Sequence, residues 1–462
     1  MYSLEFEPAC IGISTINAYL RTLTNTYIER GYVTTRAYLT PQDLSSSILT
    51  IVIVEGELES LRLNEEETYS FDLAIPSNKQ EILNLRDVEQ GLDQINRLQR
   101  YDAQIKMLPG TEPGTTIVDV HTNIGKPIYI DFGFNNGGQP LTGEELLSAK
   151  LGGENLLGLF EQWSLTATKA SEFTAKYDSE SLNFDINVPL GYWNLSYRTA
   201  YSTYYTEFDS RGFTIDTDGK STLHNADLTW LFHRDGQGKS AITLGLTHRR
   251  DKNYLMGSLI ESGSRALTAA SLSLNISHRL LGGYATFSPA FTLGTDWFGG
   301  ESDSEVLSEP VAQFYKGTLM ASMSYPLKES LFYTSSLFAQ WSNNTLYGSQ
   351  RISIGGEYTI RGFKNVSLSG DEGYYWRNDV TWDINRFAYL GQLQAQWAID
   401  TGTIVPDSQD AYENGSLMGT SVAFRLLGQH YKAVAAIGFP IAAPSRLHVD
   451  DYVIYYQLNL TY

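Results

Sequence analysis

Strict two-residue alternation of apolar and polar side chains, sustained over the last three quarters of the chain, is the feature that most limits the possible folds. In "IYIDFGFN" the residues Ile128, Ile130, Phe132 and Phe134 share one face, and Tyr129, Asp131, Gly133 and Asn135 share the other. The final stretch "YVIYYQLNLTY" does the same, with Tyr452, Ile454, Tyr456, Leu458, Leu460 and Tyr462 set against Val453, Tyr455, Gln457, Asn459 and Thr461. A period of two is the signature of a strand with two unlike faces. Between these segments about sixteen such runs can be counted, an even number, as a closed bacterial barrel requires.

Hydropathy alone points the other way. The mean hydropathy is −0.23, and the longest nearly pure apolar run, "ILTIVIV" (48–54), is far short of the roughly 20 residues that a spanning helix needs. Transmembrane barrels escape that test, because each strand contributes only half its residues to the lipid face. Aromatics at 13%, with 30 Tyr, suit the girdles such a wall carries at its two interfaces. The connections between runs also alternate in length. Short ones include 189–193, 233–239, 280–284, 325–330 and 427–431; long ones include 208–221, 297–312, 343–372 and 402–415. Short turns on the periplasmic side and long loops outside are the outer-membrane pattern. A soluble β-sandwich or propeller is the alternative, but in lipid only closure satisfies every backbone group of a sheet.

Residues 1–125 differ in kind. "STINAYLRTLTNTYIERGY" places Ile16, Leu20, Leu23 and Tyr27 on one helical face, with Ser14 as the expected N-cap and Gly31 as the stop. Strand-like runs follow at 32–39 and 48–56. The pattern then repeats: "LRDVEQGLDQINRLQ" aligns Leu85, Val88, Leu92 and Ile95, and strands are expected at 101–108 and 115–122. Tyr32 to Leu39 and Tyr101 to Leu108 share one spacing, each with a proline close behind, Pro41 and Pro109. This is an internal duplication of a small helix-plus-sheet module. The run "ELESLRL" (57–63) opens the second copy; nothing comparable precedes the first helix, so the first copy reads as clipped. The expected division is therefore 1–56, 57–125 and 126–462, with 343–372 as an inward-folding loop.

Several classes of function are disfavoured by composition. A net charge of −19 argues against a general nucleic-acid binder. No G-x-S-x-G, H-E-x-x-H or P-loop pattern occurs. The seven histidines (His121, His224, His233, His248, His278, His430, His448) show no metal-ligand spacing, so neither catalytic residues, nor a metal, nor a cofactor are expected. His248 and His278, near strand ends, read as interface residues. Cys10 excludes an internal disulfide; it is either an inert thiol or one whose partner lay in a segment absent here. "MYSLEFEPAC" has neither the basic nor the apolar region of a signal peptide.

The pleat assigns the lumen. In "YYWRNDVTWD" (374–383) Trp376, Val380 and Trp382 face lipid, which leaves Arg377, Asp379, Thr381 and Asp383 inside; in "LGQLQAQWAID" Leu393, Trp397 and Ile399 face lipid and Gln392, Gln394, Gln396 and Asp400 face inward. Charge in such a place needs water or a partner. The connection 343–372 leads into these strands and carries Arg361 between glycines 355, 356 and 362. Folded back into the lumen, it would bring Arg361 to Asp400; the plainer reading is an ordinary solvated loop arginine.

At this point the sequence resembles a known family. Two tandem modules ahead of a barrel resemble the polypeptide-transport-associated (POTRA) domains of two-partner secretion transporters (the TpsB family), in the Omp85 superfamily. "IGGEYTIRGF" resembles that superfamily's loop motif Val-Arg-Gly-Phe/Tyr, filled here by Ile360, Arg361, Gly362 and Phe363. "WAIDTG" resembles the barrel motif that receives the loop arginine, which implies Asp400 and Gly402 as its partner site. "YWRNDV" resembles Tyr-Trp-Arg-Asn-Glu-Leu, with Asp379 for Glu. "LRDVEQGLDQINRL" and "TNTYIERGYVTTRAYLTPQDL" resemble the helices of the second and first modules. The five matches fall in the family's order and span essentially the whole chain, and the overall look is closest to the CdiB type.

The resemblance implies a monomeric outer-membrane pore, with its modules in the periplasm, which secretes a large unfolded β-rich exoprotein: a haemolysin, an adhesin or a contact-dependent inhibition toxin. It implies partner contacts on the second module's helix at Arg86, Glu89, Gln94 and Arg97, and a barrel inserted into the lipid bilayer by the outer-membrane assembly machinery. Tyr462 stands where that machinery usually meets phenylalanine. An Omp85-type insertase and a passive pore or adhesin are the rival readings.

Overall fold

A computed structural model describes residues 12–462 except 44–47, 68–72, 78, 211, 304–309 and 407–412. Cys10 and the segment around it lie outside the described residues. The chain forms two units.

The first unit comprises residues 1–127 together with Glu154–Glu161 and Pro189–Tyr192. Its first helix, Ile13–Glu29, starts after Gly12, whose side chain can offer no cap, so Ser14 lies inside the first turn and not at the N-cap position expected from sequence. The stop is as expected. Gly31 sits at φ +97°, its N–H donates to the Ile28 carbonyl, and the Tyr32 N–H donates to Tyr27, a pairing that only a residue free to adopt positive φ closes cheaply. The strands behind it, Arg36–Leu39 and Ile51–Val54, are shorter than the apolar runs suggested and pair antiparallel.

The second copy is more complete. A four-stranded sheet runs in the order Glu66–Glu67, Glu57–Leu63, Thr115–His121, Gln104–Pro109, with the two central strands parallel. Helix Leu85–Asn96 covers it, capped by the Asn84 side chain, which accepts from the Arg86 N–H at 2.9 Å. Val88 and Ile95 are buried and Leu92 packs beside them, against Leu58, Leu61, Val118 and Val120. The helical stripe and the alternate face of the central strands thus make one core.

The second unit is a closed barrel of 16 strands, paired antiparallel from Trp193–Ser210 through the closure to Leu146–Glu154; a two-residue strand, Ser258–Leu259, extends it. Closure joins the last strand, Val453–Thr461, to the first, Ile128–Asn135, from Asp131↔Thr461 to Asn135↔Gln457. Exposed Leu228, Trp230 and Leu244 lie on alternate positions of neighbouring strands, with Asn225, Asp227 and Thr229 on the other face, as a lipid-facing wall requires.

Two of the long connections are not loops throughout. Residues 208–210 and 213–221 belong to Trp193–Ser210 and Phe213–Arg234, which pair without a break up to Ser210↔Phe213, so most of the expected loop is a continuation of the wall. At 402–415 the strands run on to Ile404 and resume at Gly415.

Candidate functional site

The connection between strands Leu331–Trp341 and Gly373–Phe387 carries a small hairpin of its own, Ile352–Ile354 paired with Leu368–Gly370. Gly355 and Gly356, each at φ +113°, turn the chain at its tip, and the Gly355 N–H donates to Thr359 Oγ1 at 2.8 Å. Side chains of the loop then bury one another. Ile352, Ile354, Ile360, Phe363 and Leu368 form an apolar cluster with Ile404 and Leu417 of the wall. A loop that makes its own core cannot drift into solvent without exposing that surface.

The base of the loop is fixed by polar contacts. Asp371 accepts from Arg351 Nε at 3.0 Å and from the Leu346 N–H at 3.1 Å. Gln340 donates to the Gln350 and Asp371 carbonyls, each at 3.0 Å, and Lys316 Nζ reaches the Gln350 carbonyl at 3.1 Å.

At the tip the sequence-predicted residues come together. Arg361 Nε donates to Asp400 Oδ2 and Nη2 to Oδ1, both at 2.6 Å, and the Arg361 backbone N–H adds a third bond to Oδ2 at 3.0 Å. Its remaining Nη1 donates to Asp379 Oδ1 at 2.5 Å, which also receives Gln396 Nε2 at 2.7 Å. Arg361 and Asp400 are buried, Asp400 completely. The planar guanidinium fork matches a carboxylate in this two-pronged geometry. Burial works against the charge on Arg361, but the Asp400 and Asp379 carboxylates outweigh it and raise its pKa above the ordinary arginine value.

Arg377 stands opposite Asp400 in register, yet its Nη1 holds the Tyr358 carbonyl of the loop at 2.6 Å. Gly402 has a steric role: a Cβ there would lie 2.6 Å from the Tyr374 carbonyl oxygen and 2.8 Å from Ile360 Cδ1. Gly362 adopts φ +104°, and a Cβ on it would meet the Phe439 carbonyl at 2.5 Å. Phe363 is buried, and its carbonyl accepts from Tyr455 Oη at 3.0 Å.

Sequence reasoning missed the seat beneath this tip. Gly419, the register partner of Asp400, would place a Cβ 1.8 Å from the Arg361 carbonyl oxygen, and Gly438 would place one 2.8 Å from the Gly362 nitrogen. The loop backbone therefore lies directly on the wall at two glycines. A glycine inside an otherwise regular strand is the signal that such an approach leaves in a sequence.

The four module residues are placed differently. Arg86 and Glu89 pair with each other one helical turn apart at 2.9 Å. Gln94 is half-buried. Arg97 Nη2 donates to the Phe160 carbonyl at 2.7 Å, and burial lowers its pKa, so its charge serves the interior of the first unit. His248, expected at an interface, bonds Thr268 Oγ1 through Nδ1 at 2.9 Å.

The family model described as haemolysin secretion/activation protein ShlB/FhaC/HecB matches residues 114–426, and two POTRA models match residues 4–56 and 57–109. The chain is 38% identical to the outer membrane transporter CdiB of Dickeya dadantii, over 98% of this chain and 81% of that one. It is 28% identical to the hemolysin transporter protein ShlB of Serratia marcescens, over 86% and 71%. The solved structure of CdiB from Escherichia coli superposes with a TM-score of 0.95 at 35% identity, covering 98% of this chain and 85% of that one. BamA from Haemophilus ducreyi shares the fold alone, with a TM-score of 0.54 at 11% identity over 98% and 94%. With its barrel, its duplicated modules and its arginine-bearing inward loop, the chain belongs to the ShlB/FhaC/HecB family of two-partner secretion outer-membrane transporters.

Proposed function

We infer that this chain exports one large secreted protein across the outer membrane, the modules capturing it in the periplasm and the barrel conducting it as an extended chain. The observation that carries the reading is the coexistence of a loop locked inside a closed barrel with modules that keep a sheet edge open. In the second module the edge strand Gln104–Pro109, six residues long, pairs on one side only among the described residues. Strand addition to such an edge binds an extended chain through main-chain hydrogen bonds, whatever its sequence. The helix of the same module offers Arg86, Glu89 and Gln94 for selectivity, while Arg97 is already committed to Phe160. A haemolysin, an adhesin or a contact-dependent inhibition toxin has the size and the β-rich chemistry this route suits.

In this reading the Arg361–Asp400–Asp379 cluster locks the loop in the lumen and sets the bore. No nucleotide-binding motif is present in the sequence, so folding of the cargo outside is the natural source of directionality. Co-expression with the secreted partner tests the proposal. Removing residues 1–125 is expected to leave a barrel that conducts ions and exports nothing. Wild-type export by that barrel overturns the capture role, and loss of many unrelated outer-membrane proteins from a deletion strain identifies an insertase instead.

A further inference from the structure

The outer wall of the barrel carries a patch of cations at the height where lipid headgroups begin. Strands Trp193–Ser210, Phe213–Arg234 and Gly238–Leu255 lie side by side, and their registers fix which residues share a rung. Going up the outward face, Trp193 pairs with Trp230 and their rings stack at 5.6 Å. Leu195, Leu228 and Leu244 come next, exposed on the same face. Above them His224 stands opposite His248; the first is bonded to Tyr197 Oη and the second to Thr268 Oγ1, each at 2.9 Å. Arg250 then stands opposite Thr222, and Lys220 stands opposite Lys252. Gly219 lies on the other face, against Tyr204 and Asn253, which confirms that Lys220 points out of the barrel.

The height can be worked out. Lys220 is in register with Thr203, ten residues above Trp193 (203 − 193). At about 3.3 Å per residue and a tilt of roughly 40°, that is about 25 Å, the thickness of the apolar band on a transmembrane barrel. The three cations are at the end of the barrel that also carries the 343–372 connection, and Tyr201, exposed on the neighbouring strand, marks the same level as an interfacial aromatic.

None of the three is neutralised by a direct partner, while Asp218, Asp216 and Glu207 share the outward face on the next two rungs. Arg250, Lys220 and Lys252 are exposed, and among the described residues none makes an ion pair or a side-chain hydrogen bond. Asp218, one outward position above Lys220, is the nearest carboxylate along that strand and is bonded to neither lysine. Two lysines directly across a ladder repel and weaken the pair they sit on. Elsewhere on the same rim the chain avoids this: Lys169 is held by Asp178 at 2.7 Å and by Glu180. In a protein of net charge −19, three exposed cations without a direct partner at one level of the wall are unusual.

We propose that Lys220, Arg250 and Lys252 form a binding site for the phosphate groups of a phosphorylated glycolipid of the outer leaflet, lipid A being the chemical type. The bifurcated Arg250 and the two flanking ammonium groups bind phosphate oxygens by charge-assisted hydrogen bonds, while Leu244, Leu228 and Leu195 lie below to receive the acyl chains. The bound lipid neutralises the Lys220–Lys252 repulsion and so steadies the longest strands of the wall.

The full chain, purified in a mild detergent, is titrated with lipid A, with the same lipid after removal of its phosphates, and with inorganic phosphate, and bound lipid is counted by native mass spectrometry. Lipid A is expected to bind at least tenfold more tightly than its dephosphorylated form, and inorganic phosphate at millimolar concentration to leave it in place. The triple variant Lys220→Gln, Arg250→Gln, Lys252→Gln is expected to lose that tenfold preference, while Lys169→Gln, which removes a cation already paired, keeps it. Each single change should cost about threefold, so the site stays testable if the triple variant assembles poorly, with heat-modifiability on gels as the folding control. Equal binding by wild type and triple variant, equal binding of the two lipids, or displacement by inorganic phosphate overturns the site. None of these outcomes bears on export, which is read separately by co-expression.

Discussion

The connections 343–372 and 208–221 are both long, both glycine-bearing and both on the same end of the barrel, yet they fold in opposite ways. The first leaves the wall, makes its own hairpin and buries Ile352, Ile354, Ile360, Phe363 and Leu368 against Ile404 and Leu417. The second stays with the wall: Glu207 pairs with Asp216 and Asp209 with Thr214, and the register runs on to Ser210↔Phe213. The difference lies in where the apolar side chains fall. Five large ones in 352–368 cannot all be satisfied on a pleated ribbon in water, and the lumen offers them a wall to cover. The 208–221 segment has Phe208, Phe213 and Ile215 scattered among Asp, Thr and Gly, which suits an exposed ladder and gives no reason to fold back. Destination follows from burial and not from length.

If this contrast is right, the inward loop is sensitive to single substitutions and the ladder is not. The largest effect is expected at Arg361. Its replacement by Ala leaves the Asp400 and Asp379 carboxylates buried without their cation, at a cost of about 3–5 kcal/mol. Loss of loop protection in hydrogen exchange, with heat-modifiability retained, is the expected pattern. Ile360→Ala opens a cavity in the loop's own core, beside Gly402, and should cost about 2–4 kcal/mol by the usual behaviour of buried aliphatics; proteolysis of the loop in folded barrels would detect it. Gly419→Ala sets a methyl against the Arg361 carbonyl oxygen, where a Cβ would lie at 1.8 Å, and the loop must lift to admit it, at about 1–3 kcal/mol. Here export should fall while urea-dependent unfolding of the wall stays unchanged. At the small end, Phe213→Ser on the exposed ladder should change stability by no more than about 0.5 kcal/mol, as measured by the urea midpoint. A large loss at Phe213, or none at Ile360, would remove the distinction between the two connections.

How far the sequence could be read follows the same physics. Alternation made the wall legible strand by strand, because a period of two survives in any one strand's residues, and 3.6-residue periodicity did as much for Leu85–Asn96. The ladder at 208–221 reads as a loop in sequence because Gly212, Gly219 and seven acidic or hydroxyl residues mimic turn chemistry, while the register that overrides them belongs to the pair of strands. Ser14 failed as a cap because Gly12 and Ser14 both fit the start of a helix, and the helix begins directly after Gly12.

The site was legible in part. Alternation pointed Asp379, Asp400 and Arg377 inward, and family resemblance joined Arg361 to Asp400, 39 residues away in sequence. No periodic signal carries across such a gap. Arg377, read from sequence as a lumen charge, holds the Tyr358 carbonyl and does not join the ion pair. The seat formed by Gly419, Gly438 and Tyr455, and the anchor formed by Asp371 and Gln340, depend on contacts between strands far apart in the chain. Nothing in their local sequence sets them apart from other wall residues except the two glycines.

The central claim, that the loop is locked in the lumen by Arg361 and Asp400 and that the lock serves export, is tested most directly by a double-mutant cycle on secretion of the co-expressed partner. Arg361→Ala and Asp400→Ala are each expected to lower export without preventing assembly. The double variant should lose markedly less than the sum of the two, because groups that share one contact couple. Strictly additive losses, or wild-type export from either single variant, would contradict the account.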